Sequence, residues 1–371
     1  MKTNRGMLKI CIVAGARPNF MKVAPIVRAI IKAKSEGKSI NYRLIYTGTR
    51  GDKTIEPSLF SDLQIPAPDE FLEVDNVNLN ELTGNVMFKF EHELDTHPSD
   101  VVIVVDDLAS TMAAAIVTKK KGKVLAHLVA GTRSFDIKMP KEINRMVIDG
   151  LSDLLFTAGM GSNRNVGREG AEFSHVYMVG NILMDTLRFN HNRLTRPEIF
   201  DKLQLEGRKY IVLTINRRAL LSNTENLQKM MTVIATETND VPVLIPAREY
   251  AKDIITPMIS DGSQIHLIEP QTYLGFGYLT TYAMGIITDS GNVAEEATFN
   301  SVPCITLNSY TEHIETVNEG SNVLVGEDAG KLGEAVSRMV SGKWKKCTLP
   351  DRWDGRTAER IVQTLMDYKM D

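Results

Sequence analysis

The feature that most constrains this chain is a recurrence of short, unbroken apolar runs rich in β-branched residues. In the first half these are LKICIVAG (8–15), YRLIYTG (42–48), VVIVVDD (101–107), KVLAHLVAG (123–131), LLFTA (154–158) and VYMVG (176–180). A strand with one wet face alternates polar and apolar residues, whereas unbroken runs suit a parallel sheet covered on both faces. Amphipathic stretches such as FMKVAPIVRAIIKAK (20–34) and ELTGNVMFKFEHELDTH (81–97) separate them, which makes the repeating unit β–α–β. The pattern then restarts with YIVLTI (210–215), VPVLIPA (241–247), IHLIE (265–269), MGIITDSG (284–291), VPCITLN (302–308) and NVLVG (322–326). At 371 residues the chain is also too long for one ordinary α/β core. The fold expected is therefore α/β with two Rossmann-like domains, residues 1–185 and 186–354, with 186–208 as the connector. An amphipathic helix within 355–371 has a sticky face of Ile361, Leu365 and Met366; it could pack on either domain, and a return to the first is allowed for.

Composition excludes several functions. A net charge of −3 gives no basic excess for nucleic acid. No stretch reaches the roughly 18 apolar residues of a membrane span, and the N-terminus lacks the pattern of a signal peptide. The three cysteines, Cys11, Cys304 and Cys347, are scattered, which argues against a disulfide framework or a zinc site. A cytoplasmic protein is expected. His127, inside a strand, reads as a satisfied core histidine, and the histidines show no metal-ligand spacing.

In doubly wound sheets, function gathers just beyond the carboxyl ends of strands. After the first run, Gly15-Ala16-Arg17-Pro18 opens a helix that carries Lys22. Backbone N–H groups there, with Arg17 and Lys22, suit a phosphate, although Arg17 also reads as a surface charge. The three-glycine dinucleotide fingerprint and the P-loop are absent, so no tightly held cofactor is expected. Asp106 and Asp107 end the third run and suit acid–base work or a helix cap. As neighbours in a strand they point to opposite sides, which argues against a shared metal. Arg133, Lys141, Glu142, Asn144 and Arg145 form a dense polar stretch, either a binding surface or an ion-pair network. In the second half, Asn216 and Arg217 follow the first strand. Ser290, Gly291 and Asn292 open a helix containing Glu296, an arrangement suited to a diphosphate and the hydroxyls of a ribose, or a plain capping box.

Taken in order, these loops resemble the non-hydrolysing UDP-N-acetylglucosamine 2-epimerase family over nearly the whole chain. Gly15-Ala16-Arg17-Pro18 with Lys22 is similar to the family's Gly-Thr-Arg-Pro and lysine. Pro140–Arg145 resembles Pro-Glu-Glu-Ile-Asn-Arg, Val179-Gly180-Asn181 through Asp185 resembles Thr-Gly-Asn-Thr-Val-Ile-Asp, and Thr288–Glu296 resembles the family's diphosphate and ribose segment. The resemblance implies two Rossmann-like domains, as in B-type glycosyltransferases, with a UDP-sugar in the cleft between them. It implies a homodimer and, with it, polysaccharide biosynthesis. The implied reaction removes the C2 proton, expels UDP to leave a glycal, and adds UDP back with C2 inverted. Arg17, Lys22, Phe276 (at uracil), Ser290, Gly291, Asn292 and Glu296 fall to UDP. The sugar and diphosphate candidates are Arg133, Asn144, Arg145, Arg217 and His313.

Several acid–base positions of the family are substituted. Its glutamate before Ala-Gly is Val129, the first glutamate of Pro-Glu-Glu is Lys141, its histidine is Asn216, and the glycine before its aspartate is Asp106. Asp107, Asp106, Glu142, Lys141 and Asn216 are thus the catalytic candidates. Valine cannot carry a proton and asparagine cannot titrate. A glycosyltransferase or UDP-sugar hydrolase on the same scaffold, or a catalytically silent UDP-sugar binder, are the alternatives.

Overall fold

β-Branched and aliphatic runs form strands because their stiff side chains pack well on a pleated surface. The computed structural model describes residues 6–169, 175–205, 209–260 and 262–369. The chain divides into two units, one built from Met1–Phe189 with Asp351–Asp371 and the other from Asn190–Pro350.

Among the described residues, the first unit's sheet has seven strands: β1 (Leu8–Ala14), β2 (Ile40–Tyr46), β3 (Glu70–Phe71), β4 (Val101–Val105), β5 (Val124–Ala130), β6 (Leu154–Thr157) and β7 (His175–Met178), in the spatial order β3-β2-β1-β4-β5-β6-β7. The second unit's sheet has six: β8 (Ile211–Thr214), β9 (Val243–Pro246), β10 (Ile265–Ile268), β11 (Gly285–Thr288), β12 (Cys304–Thr306) and β13 (Asn322–Leu324), ordered β10-β9-β8-β11-β12-β13. The pairs are parallel, with Ile12 beside Ile103 and Ile287 beside Leu213. Both faces of the second sheet are covered. Ile211, Leu213 and Ile287 enter one apolar cluster, while Val212 and Ile286 enter another. That alternation of faces explains why the runs show no polar period.

Strand order reverses between β1 and β4 in one sheet and between β8 and β11 in the other. Helices leave in opposite senses at such points and open a crevice beyond the strand ends. The crossover helices follow local signals. The Arg17–Ser35 helix starts with Pro18 in its first turn, where the missing N–H costs nothing. The Thr224–Thr238 helix is capped by Asn223, whose side chain accepts the Asn226 N–H.

The C-terminal helix, Thr357–Asp367, belongs to the first unit and packs on the Arg17–Ser35 helix. Asp185 holds its start: one carboxylate oxygen accepts the Thr357 N–H at 3.0 Å and the other accepts the Ala358 N–H at 2.8 Å. Gly180, at φ +100°, lets the chain pass where a Cβ would lie 2.1 Å from the Arg352 carbonyl. Trp353 is fully buried and donates to the Ala158 carbonyl at 3.1 Å.

Candidate functional site

In the first unit the polar residues converge on the switch point between β1 and β4. Asn19, buried in the first turn of its helix, accepts the Gly15 and Ala16 N–H groups at 2.8 and 3.2 Å. It donates in turn to Asp106 at 2.8 Å. The Lys22 ammonium also reaches Asp106, at 2.7 Å. The turn after β1 and the end of β4 are thereby tied together through Asp106. Arg17 has a carboxylate partner of its own, with Nε donating to Glu56 at 2.6 Å and Nη2 pairing with the same group. Both cations expected to meet a phosphate are thus matched internally.

Asp107 turns the other way, toward the Pro140–Leu151 helix. Its Oδ2 accepts from Arg145 Nε at 2.9 Å and Nη2 at 2.5 Å, and Lys141 lies 3.4 Å from Oδ1. Asn144 donates to its backbone carbonyl at 2.8 Å. The side chain caps no helix; Leu108 occupies the N-cap position of Ala109–Lys120. Burial works to raise the pKa of Asp107, but the charges of Lys141 and Arg145 outweigh it and hold the group below the usual carboxylate range. A buried, ionised carboxylate beside an exposed ammonium therefore stands at a strand's carboxyl end. Lys141 is the open member of the set, with its side chain 57% exposed.

Glu142 is committed to the loop. Its carboxylate accepts the Ser134 N–H and hydroxyl, each at 2.9 Å, the Phe135 N–H at 3.0 Å, and Arg145 Nη1 at 3.0 Å. These donors overcome burial and keep it ionised. Arg133 follows the ion-pair arrangement: it meets Asp149 at 2.7 Å, Glu169 through two nitrogens, and its neighbour's carbonyl at 2.8 Å, which leaves no nitrogen over for a ligand. His127 lies behind them between Asp149 and the Asp106 carbonyl.

The ends of β4 and β5 both adopt left-handed backbone, at Asp106 (φ +58°) and Val129 (φ +69°). Aspartate tolerates this conformation, whereas a β-branched residue is strained in it by roughly 1–2 kcal/mol. A glycine at position 106, the family's pattern, suits the same geometry. The β5–β6 register slips at Val129, and Gly131 (φ +77°) follows, where a Cβ would sit 2.3 Å from the Ser162 carbonyl.

The second unit gathers its candidates at the β8–β11 switch point. Asp289 Oδ2 accepts the Asn216 and Arg217 N–H groups, each at 2.7 Å, and fixes the turn after β8. Asp289 Oδ1 and Arg217 Nε are buried without a hydrogen-bond partner, while Arg217 Nη2 donates to the Leu307 carbonyl at 2.9 Å. Ser290 is the N-cap of the Gly291–Phe299 helix, but its side chain caps nothing, so the capping-box reading does not hold; its N–H donates to Thr288 Oγ1 at 3.0 Å. Gly291 is exposed, and a Cβ there would meet nothing within 4 Å. The helix start is thus open at Gly291, at the end where the helix dipole is positive. Glu295 and Glu296 are buried on the same helix, His313 lies 3.7 Å from Glu295, and Phe276 is half-buried against the Val212–Ile286 cluster.

Of these groups, Asn19, Asp149 and Asp289 escape a sequence reading as organising residues. The signal for Asn19 is a buried polar residue in the first turn beside Phe20, Asp289 lies in the Thr288–Glu296 segment without marking its own role, and Asp149 has no signal.

Two parallel sheets, each with its polar residues at the switch point, define a protein of two Rossmann-like domains of the B-type glycosyltransferase kind. The chain belongs to the UDP-N-acetylglucosamine 2-epimerase family, whose model matches residues 32–366. It is 33% identical over 371 residues to the UDP-N-acetylglucosamine 2-epimerase of Methanocaldococcus jannaschii, covering 96% of this chain and 99% of that one. It is 30% identical over 368 residues to the UDP-2,3-diacetamido-2,3-dideoxy-D-glucuronate 2-epimerase of Pseudomonas aeruginosa, covering 96% and 99%. Among solved structures, the M. jannaschii UDP-GlcNAc 2-epimerase in complex with UDP-GlcNAc and UDP matches with a TM-score of 0.83 at 32% identity, over 96% of this chain and 99% of that one.

Proposed function

We propose that this chain interconverts the C2 epimers of UDP-N-acetylglucosamine or of a modified UDP-sugar by eliminating and re-adding UDP. The observation that carries the reading is Asp107, a buried carboxylate kept ionised at the end of β4 by Arg145 and Lys141. A base there takes the C2 proton, the C–H pair forms the C1–C2 double bond, and the C1–O pair leaves with UDP. Protonation from the other face and return of UDP complete the inversion. Asp107, Asp106 and Lys141 are the proposed proton carriers and Asn216 a hydrogen-bonding partner. Glu142 holds the loop that frames them. The open helix start at Ser290, Gly291 and Asn292 receives the diphosphate. Glu296 is assigned to the ribose and Phe276 to uracil. The 2-epimerase names of the relatives support the reaction, and the diacetamido-glucuronate relative supports including modified sugars.

A silent binder is the second reading. It is favoured by Val129 and Asn216, which cannot transfer protons, and by the full commitment of Glu142. Proton NMR of UDP-N-acetylglucosamine with the protein in D₂O separates the readings. Deuterium at C2 with UDP-N-acetylmannosamine is the expected result. Free UDP with a new sugar indicates hydrolysis or transfer, and binding without change indicates the silent form.

The proposal extends to a homodimer serving polysaccharide biosynthesis in the cytoplasm. Val77 and Phe88 of the first unit, 100% and 77% exposed, suit burial against a second copy. Among the described residues, no helix is long and apolar enough to cross a membrane.

A further inference from the structure

His127 is 1% exposed in β5, and the proposed proton transfers do not use it. Its ring nitrogens face two acceptors: Nε2 lies 2.9 Å from the Asp106 carbonyl oxygen, and Nδ1 lies 2.6 Å from Asp149 Oδ1. A carbonyl oxygen has no proton to give, so Nε2 must carry one. Asp149 is itself fixed at its other oxygen, which accepts from the Gly131 N–H at 3.0 Å and pairs with Arg133 at 2.7 Å. Its Oδ1 holds the ring from the Nδ1 side.

The consequence lies at the corner after β4. The Pro140–Leu151 helix grips that corner in three ways: Arg145 holds the Asp107 carboxylate, Asn144 holds the Asp107 carbonyl, and Asp149, through His127, holds the Asp106 carbonyl. Asp106 sits in left-handed backbone, and small rotations there would swing the Asp107 side chain. We propose that His127, held at Nδ1 by Asp149, donates from Nε2 to clamp the Asp106 carbonyl and so aims Asp107, a positioning residue for the proton transfer. The charged groups around it are Asp149, Arg133 behind Asp149, and the Asp106–Lys22 pair on the β4 side.

The kinetic part rests on the epimerase reading; the protonation state does not. In the full chain labelled with ¹⁵N-histidine, His127 should show a protonated Nε2, the donor to the Asp106 carbonyl. Loss of that signal in His127→Gln assigns it. An unprotonated Nε2 in the wild type overturns the proposal whatever the activity. In turnover, His127→Phe should lower kcat about 100-fold, the effect of a displacement near 1 Å, while KM stays within about threefold. His127→Gln, which keeps one donor, should recover part of the loss. Wild-type kcat in His127→Phe also overturns the proposal, and should that variant not fold, the NMR result on the wild type decides. A wild type without turnover would sink the epimerase reading alone.

Discussion

Replacing Asp185 with asparagine should change how the stability of the first unit depends on pH. Burial pushes the Asp185 carboxyl from an ordinary 3.8 to about 6, against the two backbone N–H groups that favour the ionised form. The folded state thus holds this proton more tightly than the unfolded chain does. Asp185 favours folding in acid, and that advantage disappears as pH rises from about 4 to about 6. The step is worth about 3 kcal/mol. Asparagine keeps the shape and one acceptor, removes the charge, and leaves one of the Thr357 and Ala358 N–H groups unpaired, at about 1–3 kcal/mol. Asp185→Asn should therefore be clearly destabilising near pH 4.5 and close to neutral near pH 8, a swing of about 2–3 kcal/mol. Urea unfolding in a Trp344→Phe background reads this out, because Trp353 is then the remaining tryptophan and is buried in the first unit. Parallel stability–pH curves for aspartate and asparagine would refute the reasoning.

Two further outcomes are expected. Arg145→Met should cost about 3–5 kcal/mol and abolish turnover, because it strands Asp107 and Glu142 as buried charges; urea denaturation and the epimerisation assay check both. Gly291→Asp should leave folding unchanged, since a Cβ there meets open space, yet weaken UDP binding at least tenfold by setting a carboxylate at the diphosphate's helix start, as calorimetry can show.

The sheets were legible because unbroken apolar runs can be buried only between two covering layers. β3 was missed because Glu70–Phe71 is a two-residue edge strand with no periodicity to read. The candidate loops were legible as loops, since they follow the runs, but their pairings were not. Glu56 lies far along the chain from Arg17, and nothing local marks it as the partner. The dense stretch from Arg133 to Arg145 proved to be of two kinds: Lys141 faces outward, while Arg133 and Glu142 are spent on the loop. Asp185 sits in a segment that resembles a family motif, but nothing local marks its carboxylate as the cap of a distant helix start. The left-handed turn at Val129 has no sequence mark, because valine is among the last residues expected there.

The polypeptide leaves the first unit at Phe189 and rejoins it at Asp351. On the ribosome, residues 190–350 must therefore all emerge before Trp353 can fill its slot or Asp185 can find the amides it caps. The second unit is free to mature while the first still waits with a buried carboxylate and an apolar socket uncovered. A nascent chain stalled late in synthesis would expose that socket to chaperones, even though the earliest strands were made first.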